Sequence, residues 1–121
     1  MSNILKEQLQ MILQALQRIP RRFKGIETAE DFLYSDEGTD KLDAICMMLI
    51  AVGEGIKKLD HHTNGELLAR YPQIDWKGVK GVRNVIAHGY FDIDVEQVFD
   101  ICQKDIPELI SVIKIMLKEA F

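Results

Sequence analysis

The sequence predicts an all-α protein, an up-and-down bundle of four to five helices. Three observations predict it. Apolar residues recur at three- and four-residue steps through most of the chain. No segment sustains the two-residue alternation of a strand. The breaks between periodic stretches coincide with proline, glycine or N-capping residues. A length of 121 residues fits one domain over 1–121, long enough to bury a single core.

The first helix is written in Ile4, Leu5, Leu9, Ile12, Leu13, Leu16 and Ile19, with Pro20 at or just past its end. The segment that follows is polar and broken by Gly25 and Gly38. Within it, Thr28 to Asp31 has the form of a capping box that opens a short helix. A long helix is expected from about Thr39 to Leu59. It is apolar nearly all the way round until Gly53, which marks it as the central, most buried element. Glu54 is the odd residue in it, and a buried carboxylate needs a polar or cationic partner. Next comes a loop leading to a helical turn or two stopped by Pro72, with His61 and His62 as solvated loop residues. Asp75 is the N-cap of a helix that starts near Trp76 and runs through WKGVKGVRNVIAH to a stop at Gly89. Asp94 caps a further helix. This either continues past a kink at Pro107 or gives way there to a new helix, with Asp105 and Glu108 as a second capping box.

Composition excludes several function classes. Nearly half the residues are hydrophobic and 28% are charged, which is globular rather than disordered. Fifteen basic against nineteen acidic residues give a net charge of −4, which argues against a general nucleic-acid coat but leaves room for a local basic site. Cys46 and Cys102 sit in apolar surroundings and read as buried thiols of a reducing cytoplasm. The N-terminal apolar residues alternate with polar ones, unlike a signal peptide, and no run reaches the ~18 apolar residues of a membrane span. A soluble, cytoplasmic chain with no membrane partner is expected.

The stretch RNVIAHGYF, residues 83–91, carries the candidate chemistry. On a continuous helix Lys77, Lys80, Asn84 and His88 share a face, so two cations lead to an imidazole. Arg83 lies about 140° round from His88, within reach of a long side chain if the last turn unwinds at Gly89. Arg holds phosphate with a rigid fork of donors and stabilises charge that grows in a transition state. His moves protons near neutral pH. RNA brings its own nucleophile, the 2′-hydroxyl, so such a site needs no metal and no cofactor. His61 and His62 lack partners at metal-ligand spacing. Spacing alone leaves a structural alternative open: a His in a last helical turn favours the dipole, the Gly is an ordinary stop, Arg83 is a surface charge and Tyr90 packs.

RNVIAHGYF resembles the RxxxxHxY motif of HEPN-domain proteins of the HepT type, with Arg83, His88 and Tyr90 in register. VGEGIKKL (52–59), YPQIDWKGVKGVRN (71–84) and YFDIDVEQVFDICQKDIPEL (90–109) are similar to family segments, so the resemblance covers roughly 1–119. It implies a homodimeric all-α bundle acting as a metal-independent ribonuclease toxin on tRNA or mRNA, with the motifs of two protomers meeting in one composite site. It assigns catalysis to Arg83 and His88 with Asn84 in support and makes Glu54 a supporting residue, structural or catalytic; Lys80, from the shared helix face, is the other supporting residue. Its implied partner is an MntA-like nucleotidyltransferase antitoxin that uses ATP to AMPylate Tyr90. Glu54 keeps the family's acidic position and is expected to pair near the motif, with Arg83 as a partner. Gly55 stands where the family usually has Ala, which predicts a locally loose or kinked long helix, since glycine costs a helix interior about 1 kcal/mol. The other function in view is a non-catalytic one, a nucleotide- or substrate-binding subunit of a minimal nucleotidyltransferase complex.

Overall fold

The computed structural model describes residues 2–87 and 92–119. Helix α1, Ser2–Phe23, lays its apolar stripe on α2, Asp36–His62, with Leu9, Leu16 and Ile19 fully buried. Pro20 does not end α1. Proline removes one N–H and crowds one carbonyl, but tertiary packing holds the final turn. Phe23 sits 5.2 Å from Phe99 and 6.2 Å from Phe32 between ring centroids, and Lys24 N–H still donates to Pro20 O at 3.1 Å. The stop is Gly25, whose φ of +89° is the left-handed conformation that ends helices and suits glycine.

The capping box is present on a 3-10 turn, Ala29–Phe32. The Asp31 carboxylate accepts the N–H groups of Glu27 and Thr28 at 2.8 and 3.0 Å, and those bonds lower its pKa. The turn drives Phe32, fully buried, into the core. Ser35 then caps α2 by accepting Gly38 N–H at 2.9 Å, so α2 starts three residues before Thr39.

Helix α2 is unbroken through Gly53 and Gly55. Gly55 marks no kink. A β-carbon there would stand 2.9 Å from Ile12 Cγ1, so the missing side chain lets α1 approach closely. The helix also runs on past Leu59, which places His61 and His62 in its last turn rather than in a loop. Both are exposed, and His62 Nδ1 bonds the Gln8 side chain at 2.9 Å.

Short helices follow: α3, Glu66–Ala69; α4, Trp76–Lys80; and α5, Val82–Ala87. Asp75 caps α4 as expected, accepting Gly78 N–H at 3.1 Å. Trp76 Nε1–H donates to Tyr71 O at 2.8 Å. The Tyr71 hydroxyl donates to Glu119 Oε1 at 3.0 Å; burial and this carboxylate raise its pKa. Asp94 caps α6, Val95–Asp100, accepting from Glu96 and Gln97. A π-helical turn, Ile101–Asp105, joins α6 to α7, Ile106–Glu119. Pro107 lacks an N–H and crowds the carbonyl four residues back, and the chain widens to an Ile106 N–H to Ile101 O bond just before it. No second capping box forms, because Asp105 lies inside this turn.

The core is continuous from α1 and α2 to α7, where Val112, Ile113 and Met116 are buried. Cys46 and Cys102 are buried free thiols in it. Burial pushes them up to about 11 and about 12, respectively. At pH 8 neither is appreciably ionised, and the thiolate is the nucleophile. The native protein is therefore expected to resist an aromatic disulfide reagent that labels both thiols rapidly in urea. Prompt labelling of the native chain would contradict this packing. Because the folded-state values are raised, unfolded thiols release protons first, so stability falls as pH climbs from about 9 toward 11.

Candidate functional site

The site is built where α4 and α5 lie on α2. Val82 and Ile86, four residues apart, are buried and anchor α5. Arg83, Asn84 and Val85 are thereby left exposed. The close approach depends on Gly53. A β-carbon there would stand 2.9 Å from Val82 Cγ1 and 3.0 Å from Val79 O. The next residues in register, Glu54 and Arg83, form an ion pair at 3.5 Å between Oε1 and Nη1.

Glu54 is therefore paired with Arg83 as expected, but it is not buried. The Arg83 and Glu54 side chains are 59% and 45% exposed, so no large desolvation cost attaches to either. Lys57 approaches the same carboxylate at 3.8 Å. Solvated pairs of this kind contribute roughly 0–1 kcal/mol. Their effect is to hold the guanidinium over the edge of α2 rather than to stabilise the fold.

The continuous helix expected from Trp76 is divided at Gly81, where the chain tightens and Asn84 N–H donates to Gly81 O at 2.9 Å. The break separates the lysines of α4 from the face of α5. Lys80 turns back to α2 and pairs with Asp60 at 2.8 Å, both side chains half-buried or less exposed. It clamps α4 to α2 and is not on a common stripe with Asn84. Asn84 itself is exposed on α5. His88 and Tyr90 lie outside the described residues. Asp60, Lys57 and Gly53 also belong to this framework, which the sequence alone does not show. The Glu54–Lys57 spacing of three was a local signal; the Asp60–Lys80 pair, twenty residues apart, left none.

Among the described residues no group of three or more His, Cys, Asp or Glu is placed to hold a metal ion. No helix among them is long and apolar enough to cross a membrane.

The family model described as Ribonuclease HepT-like matches residues 6–116. A protein named Putative RNase from Methanocaldococcus jannaschii is 33% identical over 97 residues, covering 80% of this chain and 74% of that one. Another named Putative RNase, from Caldanaerobacter subterraneus subsp. tengcongensis, is 30% identical over 111 residues, 92% of each chain. A Probable ribonuclease HepT from Thermococcus cleftensis is 29% identical over 104 residues, 86% of this chain and 87% of that one. No solved structure matches significantly. An all-helical bundle, an RxxxxH segment whose Arg sits exposed on α5, and a match over nearly the whole chain agree: this chain belongs to the HepT-like ribonuclease family of HEPN proteins.

Proposed function

We propose that this protein is a metal-independent endoribonuclease toxin that cleaves RNA by attack of the RNA's own 2′-hydroxyl. The observation that carries the reading is Arg83. It is exposed on a short helix, its backbone is anchored by Val82 and Ile86, and its head is held by one carboxylate at the rim of α2. A guanidinium so placed can exchange that carboxylate for a phosphate at little energetic cost.

In this reading Arg83 clamps the scissile phosphate and stabilises its growing charge. His88 transfers protons, taking one from the 2′-hydroxyl or giving one to the departing 5′-oxygen. The 2′-oxygen bonds to phosphorus as the bond to the 5′-oxygen breaks, so no metal is required. Asn84, next to Arg83 on the exposed face of α5, contacts phosphate or orients His88. Two protomers pair their motifs across a dimer axis, which concentrates Arg83 from both chains despite the net charge of −4. Tyr90 is the control point. An MntA-like nucleotidyltransferase joins its oxygen to the α-phosphorus of ATP and releases pyrophosphate, and the attached phosphate fills the anion site meant for RNA.

The test is cleavage of total RNA in EDTA by protein purified without a partner, its mass showing Tyr90 unmodified, beside His88→Ala. Cleavage by the wild type and not by the variant is expected. Equal cleavage by both would indicate a contaminant or another site. No cleavage of tRNA or mRNA by the unmodified protein would turn the assignment to a nucleotide-binding subunit.

A further inference from the structure

We propose that the groove between α1 and α2 is a track for single-stranded RNA that leads the strand away from Arg83; this rests on the ribonuclease reading above. The groove has a volume of about 790 Å³. Glu54 lines it, and Glu54 touches Arg83 at 3.5 Å, so the groove begins one side chain from the proposed cleavage point.

Its walls and floor differ in chemistry. Arg18 from α1 and Lys57 and Lys58 from α2 supply three fixed cations, and the His61 ring stands beside them. The lining carboxylate, Glu54, is already shared by Lys57 and Arg83. Lys58 has no ion-pair partner among the described residues. In a chain of net charge −4, this concentration of positive charge runs against the overall balance. The floor is apolar: Ile12, Ala15 and Met48, with Gly55 keeping it low. Arg18 Nη1 rests 4.0 Å from Met48 Sδ, which lays its guanidinium over that floor. Met11, 69% exposed, stands at the rim.

Cationic walls over an apolar floor suit a chain that is anionic along its backbone and apolar on its base faces. Guanidinium planes and adaptable thioethers both pack against flat bases. The same groove on a second copy would bring cation against cation, which disfavours self-association here. A strand entering the track would displace Glu54 from Arg83 as phosphate arrives, so occupancy of the groove and release of the clamp are linked.

The experiment compares binding of 2′-O-methyl oligoribonucleotides, which lack the nucleophile and stay intact, at three and twelve nucleotides. The variant is Arg18→Glu with Lys58→Glu; Lys57 is kept because it touches Glu54. The wild type is expected to bind the longer oligomer more tightly. The variant is expected to lose at least tenfold on the twelve-mer and little on the three-mer. Its slope of log affinity against log salt should fall by about 1.4, at ~0.7 for each lost single-strand phosphate contact. Arg18→Gln with Lys58→Gln should show the same fall in slope and guards against misfolding by charge reversal. Unchanged twelve-mer affinity and slope in either folded variant would overturn the proposal, as would a wild type that binds no twelve-mer. Loss of oligomeric state by light scattering in the variants would overturn it too and assign the groove to a second copy. The two readings separate cleanly. A wild type that binds through the groove yet cleaves no natural RNA sinks the ribonuclease reading alone, and cleavage with groove-independent binding sinks the track alone.

Discussion

Arg83→Ala is expected to lower kcat/KM for RNA cleavage by about 10²- to 10³-fold, the usual loss when one preorganised donor to a developing oxyanion is removed. Stability should barely move. The side chain is 59% exposed and its ion pair with Glu54 is solvated, and surface substitutions away from packed features stay within roughly 0.5 kcal/mol. A large activity loss at unchanged urea midpoint therefore reports chemistry and not unfolding. Arg83→Lys should recover little, since an ammonium cannot offer two parallel donors to a phosphate. Glu54→Gln discriminates further. It removes the charge that holds Arg83 in the resting protein, yet leaves the guanidinium free for phosphate. A small change, raised KM with kcat retained, is expected if Glu54 only positions Arg83. A loss as deep as that of Arg83→Ala would place Glu54 in the chemistry itself. Wild-type cleavage by Arg83→Ala would remove Arg83 from the mechanism altogether.

Legibility in the sequence followed the range of the interactions. The α1 stripe, the Asp75 and Asp94 caps and the Thr28–Asp31 box depend on residues three or four apart, and the structure repeats each of them. Misreadings arose where a distant contact outweighed a local preference. Pro20 should end α1 by its own chemistry, but Phe23 is held by Phe32, beyond the end of the helix, and by Phe99, far along the chain. Gly55 should loosen α2, but it meets Ile12 from another helix. Lys80 shares a face with Asn84 only if the helix passes Gly81 intact; instead the chain tightens there, and Lys80 is drawn to Asp60. Glu54 was expected in the buried interior because α2 is apolar before it, yet the buried residues after Gly53 narrow to Ile56 and Leu59. The pairing of Glu54 with Arg83 followed from charge and from family register; its exposure did not, because that depends on how far α5 covers α2.

That coverage makes Gly53 the most consequential position outside the motif. Two effects oppose each other when it gains a side chain. Replacing a helix-interior glycine by alanine adds about 1 kcal/mol of helix propensity. Against this, the new β-carbon meets Val82 Cγ1 at 2.9 Å and Val79 O at 3.0 Å. A side chain can rotate away, but the Val79 carbonyl belongs to the backbone of α4 and moves only if the helix moves. Overpacking of this kind costs typically 1–3 kcal/mol, so Gly53→Ala is expected to be net destabilising and Gly53→Val, with two further methyl groups, strongly so. Gly55→Ala is the control. Its contacts are with the side chain of Ile12 alone, Cγ1 at 2.9 Å and Cδ1 at 3.4 Å, with no backbone atom in the way, and the propensity gain should nearly offset them. The functional consequence is sharper than the thermodynamic one. Val82 is the neighbour of Arg83, so a side chain at 53 lifts α5 and carries the guanidinium away from Glu54 and from any phosphate aligned with it. RNA cleavage by Gly53→Ala should fall by at least tenfold at temperatures where circular dichroism shows the chain fully folded, because small misplacement of a positioning group is costly. If Gly53→Ala proves as stable and as active as Gly55→Ala, then α5 is not seated on α2 through this glycine, and the register that joins Glu54 to Arg83 must be set elsewhere.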